Sequence, residues 1–82
     1  MKRKHRYAFN QLKKLGVPVF IHPDAETTFD ISGEEPESTS WVNYWQSPSN
    51  WDFGVHPKID QILSSYGLHC EWMNPGHLRV YE

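Results

Sequence analysis

In Pro57-Lys58-Ile59-Asp60-Gln61-Ile62-Leu63-Ser64-Ser65-Tyr66-Gly67-Leu68-His69-Cys70-Glu71-Trp72-Met73-Asn74-Pro75-Gly76-His77-Leu78-Arg79-Val80-Tyr81, a helical period gives way to a strand period at one glycine. Ile59, Ile62, Leu63 and Tyr66 recur at i, i+3, i+4 and i+7, which draws one apolar stripe along a helix. Pro57, with His56 ahead of it, suits the first helical position, where a missing N–H costs nothing. Gly67 supplies the left-handed residue that stops the helix. Leu68, Cys70 and Trp72 then alternate with His69, Glu71 and Met73; Asn74-Pro75-Gly76 reads as a turn, and Leu78 and Val80 alternate with Arg79 and Tyr81.

The N-terminal third follows the same plan. Over residues 3–15, Ala8, Leu12 and Leu15 share a helix face flanked by Tyr7 and Phe9, with Lys2, Arg6 and Lys13 opposite and Arg3 and Lys14 beside them. Gly16 caps this helix, and Pro18 forces Val17 into an extended conformation. Val17, Val19 and Ile21 alternate with Pro18, Phe20 and His22; after a turn at 22–26, Phe29 and Ile31 lie on one face of a second strand, so 17–22 and 27–32 form an expected β-hairpin. A shift of 51 residues lays Gly16 on Gly67, Ala8, Gln11, Leu12 and Leu15 on Ile59, Ile62, Leu63 and Tyr66, and Val17, Val19 and Ile21 on Leu68, Cys70 and Trp72. Duplication and two uses of one common helix–glycine–strand connection both account for this.

Between the two units, Ser32 to Ser40 is polar, acidic and punctuated by Gly33 and Pro36, and reads as an exposed, mobile loop. Trp41-Val42-Asn43-Tyr44-Trp45 fits two patterns: Trp41, Tyr44 and Trp45 match a helical face, while its aromatic and β-branched content favours a third strand, the expectation adopted. Ser47 to Gly54 is turn-rich and carries Trp51 and Phe53. The expected architecture is one α+β domain over 1–82, in the order α-β-β-β-α-β-β. Two helices pack on one face of a mostly antiparallel sheet, with αββ-like units 3–32 and 56–82 joined by a loop and strand over 33–55.

A chain of 82 residues with only 38% hydrophobic side chains has little core to spare, so most of its aromatic 15% is expected to be buried. A lone cysteine, Cys70, cannot form an internal disulfide, which favours a reducing, cytoplasmic setting. No apolar segment follows the basic start, and no stretch approaches a membrane span, so no membrane partner is expected. The net charge of −2 hides a polarity: residues 1–14 hold six basic residues and no acid, while the rest holds all ten acids against Lys58 and Arg79. Such a layout steers partners, or a second copy, by charge.

Motifs for chemistry are absent. Zinc sites need closely spaced ligand pairs, whereas His69 and Cys70 are adjacent and face opposite sides of a strand, and His22-Pro23-Asp24 offers a pair that nothing else repeats. Cys70 shares the apolar strand face with Leu68 and Trp72 and reads as a buried small hydrophobe, not a nucleophile. Glu34, Glu35 and Glu37 sit in a solvated loop, unsuited to general acid–base work; there is no phosphate-cradling glycine loop and no Gly-x-Ser-x-Gly elbow. No catalytic residue, metal or cofactor is expected. An enzyme reading would need a concave pocket joining His22 or His56 to acids.

Two surfaces remain. Trp41, Tyr44, Trp45 and Trp51 with Glu34 and Glu35 form the expected protein-binding region, for a partner protein or for another copy in a homo-oligomer. The alternative is nucleic acid held by Lys2, Arg3, Lys4, Arg6 and Lys13. The topology resembles double-stranded RNA-binding domains, but their basic helix is the later one, and the second helix here carries only Lys58. The start, Arg3-Lys4-His5-Arg6-Tyr7-Ala8-Phe9-Asn10-Gln11-Leu12-Lys13-Lys14-Leu15-Gly16, and the end, Cys70-Glu71-Trp72-Met73-Asn74-Pro75-Gly76-His77-Leu78-Arg79-Val80-Tyr81, resemble small uncharacterised proteins of marine phages, cyanophages in particular. That resemblance implies a non-enzymatic accessory protein in the cytoplasm of an infected bacterium and carries no functional residues with it.

Overall fold

The computed structural model describes residues 1–45 and 48–82; Ser47, expected to open the turn-rich run, lies outside the described residues. Helix α1 spans Arg3–Leu15 and helix α2 spans Pro57–Ser65, while β1 (Val19–Phe20), β2 (Asp30–Ser32), β3 (His69–Asn74) and β4 (His77–Tyr81) form one sheet in the order β1-β2-β4-β3. Every neighbouring pair is antiparallel. The α+β architecture, with both helices on one sheet face, is as the periodicities predict.

Both helix ends use the same backbone device. Gly16 and Gly67 take the left-handed conformation, Val17 N–H donates to Leu12 O and Leu68 N–H donates to Leu63 O, and these bonds superpose under the 51-residue shift. Each cap turns the chain into an edge strand, one on each side of the central β2–β4 pair. Ala8 and Leu12 from α1 and Ile59, Ile62 and Leu63 from α2 meet Phe29, Ile31, Leu78 and Val80 from the sheet in a single core. Leu15, expected on that face, is exposed, because the helix ends there and His5 occupies the face one turn before Ala8.

The first turn of α1 is entirely basic, which opposes the positive end of the helix dipole. Glu82 supplies the missing negative charge, 2.7 Å from Lys2 and 3.4 Å from Lys4. His5 beneath it is buried, and its Nδ1 has no hydrogen-bond partner among the described residues. Burial lowers its pKa from the ordinary 6.5; Glu82 pulls the other way, and Lys4, Lys2 and the N-terminus add to the lowering. The unfolded chain therefore takes up this proton first as the pH falls. The His5 contribution to stability is fully present above the unfolded value of 6.5 and is lost as the pH falls through the lowered folded value. Urea unfolding followed on lowering the pH from 6.5 should show that decline, and His5→Leu should remove its share of the slope.

Three expectations for the linking region change. Residues Pro36–Ser40 form a 3-10 helix, not a loose loop, because Ser38 is buried with its hydroxyl donating to Ser32 O (2.8 Å), and Glu35 and Ser38 cap one another reciprocally. In place of a third strand over 41–45, Val42 alone makes a bridge, to Val55, framed by Asn43 N–H to Gly54 O and His56 N–H to Trp41 O. The segment finds its partner thirteen residues on, inside its own loop, and so never reaches the sheet. Most of the aromatic side chains are not buried: of twelve rings only Phe29 is fully inside, and aliphatic residues fill the core instead.

Candidate functional site

The described residues 41–45 and 48–56 meet at this bridge and sort their aromatic rings into two groups. Trp41 and Trp51 lie tilted against His56, with centroids 5.1 and 5.4 Å away, and His56 caps α2 by accepting Lys58 N–H on Nδ1 (2.9 Å). Both tryptophans are half-buried at the start of α2 and serve the fold as much as any surface. Tyr44 centres the second group: Trp45 stands edge-on at 5.0 Å and Trp72, from β3, edge-on at 5.2 Å. The indole N–H of Trp72 donates to Phe53 O (2.7 Å), and the Asn43 side chain accepts the Trp45 backbone N–H (3.1 Å).

These constraints push apolar surface outward. Trp45 is 77% exposed and Phe53 is 84% exposed. Phe53 sits at φ 52°, a left-handed conformation that a side chain of its size rarely adopts. Gly54 beside it, at φ 77°, packs so closely on the Asn43 carbonyl that a Cβ there would collide with it. A cavity of about 390 Å³ opens among Tyr44, Trp45, Trp72 and Val42, floored by the Pro75-Gly76 turn, with Glu34 at its edge. Of the expected residues, the structure thus gathers Tyr44, Trp45 and Glu34; it places Trp41 and Trp51 with His56, and engages Glu35 in capping. Phe53, part of the aromatic run expected over 41–53, is exposed as well, while Trp72 from β3 is a member of the surface that the sequence pattern did not indicate. The Asp52-Phe53-Gly54 turn was the available signal for Phe53.

No family model, curated protein or solved structure matches this chain. The assignment of a site therefore rests on geometry alone.

The sheet face away from the helices carries a polar cluster that the alternation left unremarked. Phe20, Asp30, Arg79 and Glu71 fall in one row across the four strands. Asp30 is completely buried under its neighbours, with Arg79 donating from Nε to Oδ1 (2.9 Å) and from a terminal nitrogen to Oδ2 (3.1 Å), and with His77 Nε2 3.2 Å from Oδ2. The hydrogen bond to Asp30, more than any other contact, holds the Arg79 pKa above its ordinary value. His22 stacks on His77 at 5.8 Å, nearly parallel, while its own Nδ1 accepts the Asp24 N–H. The adjoining cleft of about 430 Å³ joins His77, not His22 or His56, to Glu34, Glu35 and Glu37. With two hydrogen bonds from Arg79 and the His77 ring beside them on one carboxylate, the cluster ties β2 to β4.

Cys70, expected to be buried, is half-buried in the structure. Burial first, and then Asp60 and Glu71, push the Cys70 thiol up to about 12, so it is no thiolate at neutral pH. Among the described residues no three His, Cys, Asp or Glu side chains group as metal ligands, and no helix is long and apolar enough to cross a membrane. Of the basic residues at and on α1, Lys2 and Lys4 are engaged by Glu82 and Lys13 lies 5.9 Å from the Phe9 ring, which leaves Arg3, Arg6 and Lys14 exposed.

Proposed function

We propose that this chain is a non-enzymatic protein-binding module whose contact surface is Tyr44, Trp45, Phe53 and Trp72 beside Glu34. The observation that carries this reading is Phe53, held almost wholly in solvent on a left-handed backbone. Such a conformation costs a non-glycine residue about 1–2 kcal/mol, and an exposed phenyl ring returns nothing to the isolated fold. Strain together with exposure at one residue is the signature of a surface kept for contact. Trp and Tyr beside it are the side chains that most often dominate binding energy at interfaces. The cytoplasmic accessory role implied by the terminal resemblance is compatible with such a module and adds no residue to it. Nucleic-acid binding is the weaker reading, since Glu82 already neutralises part of the basic helix end.

Phe53→Asn combined with Trp45→Ala is the test. Asparagine tolerates the left-handed region, so the double variant should fold at least as stably as the wild type in urea melts. Peptides selected from a displayed random library on the wild-type protein should bind the variant about thirtyfold more weakly, the loss expected for removal of an interface anchor. Equal binding to both proteins would place the contact surface elsewhere.

A further inference from the structure

We infer that the cavity beside Trp45 receives an arginine side chain from a basic segment of the partner protein. The inference rests on the binding reading above and specifies its chemistry. Tyr44 meets Trp45 at 78° and Trp72 at 84°, so the rings form the corners of an open box and do not pack flat on one another. A cation placed against aromatic faces is drawn to their negative potential. The box is held in shape from outside. The Trp72 indole is fixed by its bond to Phe53 O, Trp45 by the Asn43 side chain, and the Asn43 backbone by the Gly54 carbonyl.

The charge around the box points the same way. Its lining holds Glu34 and, among the described residues, no lysine, arginine or histidine. The ion pairs of the structure use Asp24, Asp30, Glu71 and Glu82 and leave Glu34 without a basic partner among the described residues. The Glu34 carboxylate is seated over Gly76, in the place a Cβ at that position would occupy. Three aromatic rings and one unpaired carboxylate match a planar guanidinium, which stacks through its face and donates hydrogen bonds from its edge. A quaternary ammonium would meet the rings and the charge of Glu34 but donate no hydrogen bond to it; an acidic side chain would be repelled by Glu34, and a purely apolar one would leave its charge unused.

The probes are the capped tripeptides Gly-Arg-Gly and Gly-citrulline-Gly, which share a shape and differ in charge. Titrated into the ¹⁵N-labelled protein, the arginine peptide should shift the indole N–H signals of Trp45 and Trp72 and bind about tenfold more tightly than the citrulline peptide. Glu34→Gln should bring the two peptides close together. Gly76→Ala, which keeps the charge but pushes the Glu34 carboxylate off its seat, should weaken arginine binding in the same direction. Equal affinity for both peptides, or shifts confined to signals outside the box, would overturn the inference while leaving the binding surface itself to the library experiment. Shifts that grow with protein concentration alone and vanish in Arg3→Ala, Arg6→Ala protein would also overturn it, by making the occupant a second copy of this chain.

Discussion

Alanine at position 54 should cost the domain about 3–4 kcal/mol, the sum of forcing a side chain into the left-handed region and overpacking it against fixed backbone. The added methyl would run into the Asn43 carbonyl and approach the Trp72 ring. The carbonyl cannot retreat, since Asn43 N–H is bonded to Gly54 O and Val42 is bridged to Val55. Gly16→Ala is the matched control: that glycine is also left-handed, at φ 92°, but has open space around the added atom. It should lose only the conformational part, about 1 kcal/mol. The difference between the two urea midpoints measures the collision. Gly54→Ala should also release Trp72 from Phe53 O and quench arginine-peptide binding, whereas Gly16→Ala should leave that binding intact. Similar losses for the two variants would mean that the 41–56 loop is not braced as described.

Removing the buried carboxylate is the second large effect. Asp30→Ala should lower stability by about 3 kcal/mol, the lower end for breaking a buried ion pair, because the Arg79 and His77 side chains left behind retain some access to water. Asp30 joins β2 to β4 across the centre of the sheet, so the loss should appear in global unfolding and not as a local fraying. Asp30→Asn keeps the shape and one acceptor while discarding the charge, and it should fall between the two. A loss under about 1 kcal/mol for Asp30→Ala would place the pair in the class of exposed salt bridges.

The parts of the fold that were legible in the sequence are those written in neighbouring residues. Ile59, Ile62, Leu63 and Gly67 announce a helix and its end within nine positions, and Asn74-Pro75-Gly76 closes a hairpin whose strands touch it directly. The Asp30–Arg79 pair was not legible, because its members are 49 residues apart and each looks like an ordinary polar residue on the outer face of a strand. The same distance effect hid Trp72: strand alternation assigns it correctly to the core side, but only the three-dimensional return of loop 41–56 shows that its outer edge joins Tyr44. The burial of aromatic rings was misjudged for another reason. Composition says how much apolar surface exists and nothing about which part is left outside. Here Leu, Ile and Val close the core between α1, α2 and the sheet, and the larger rings are left for the rim.

The last strand pairing has a bearing on solubility. Strand β3 is the long open border of the sheet, and a straight border of that kind invites a neighbouring molecule to add its own strand. The register slips between Trp72 and Asn74, so the row of outward amides and carbonyls bends at Met73, while the Glu71 carboxylate and the His69 ring bonded to it stand just before the bend. A ribbon from another molecule laid along that margin would lose alignment within a few residues. The opposite margin, β1, is only two residues long and offers too little backbone to grip. Strand addition is thus disfavoured at both borders by their shape, although bare rings stand on the surface nearby.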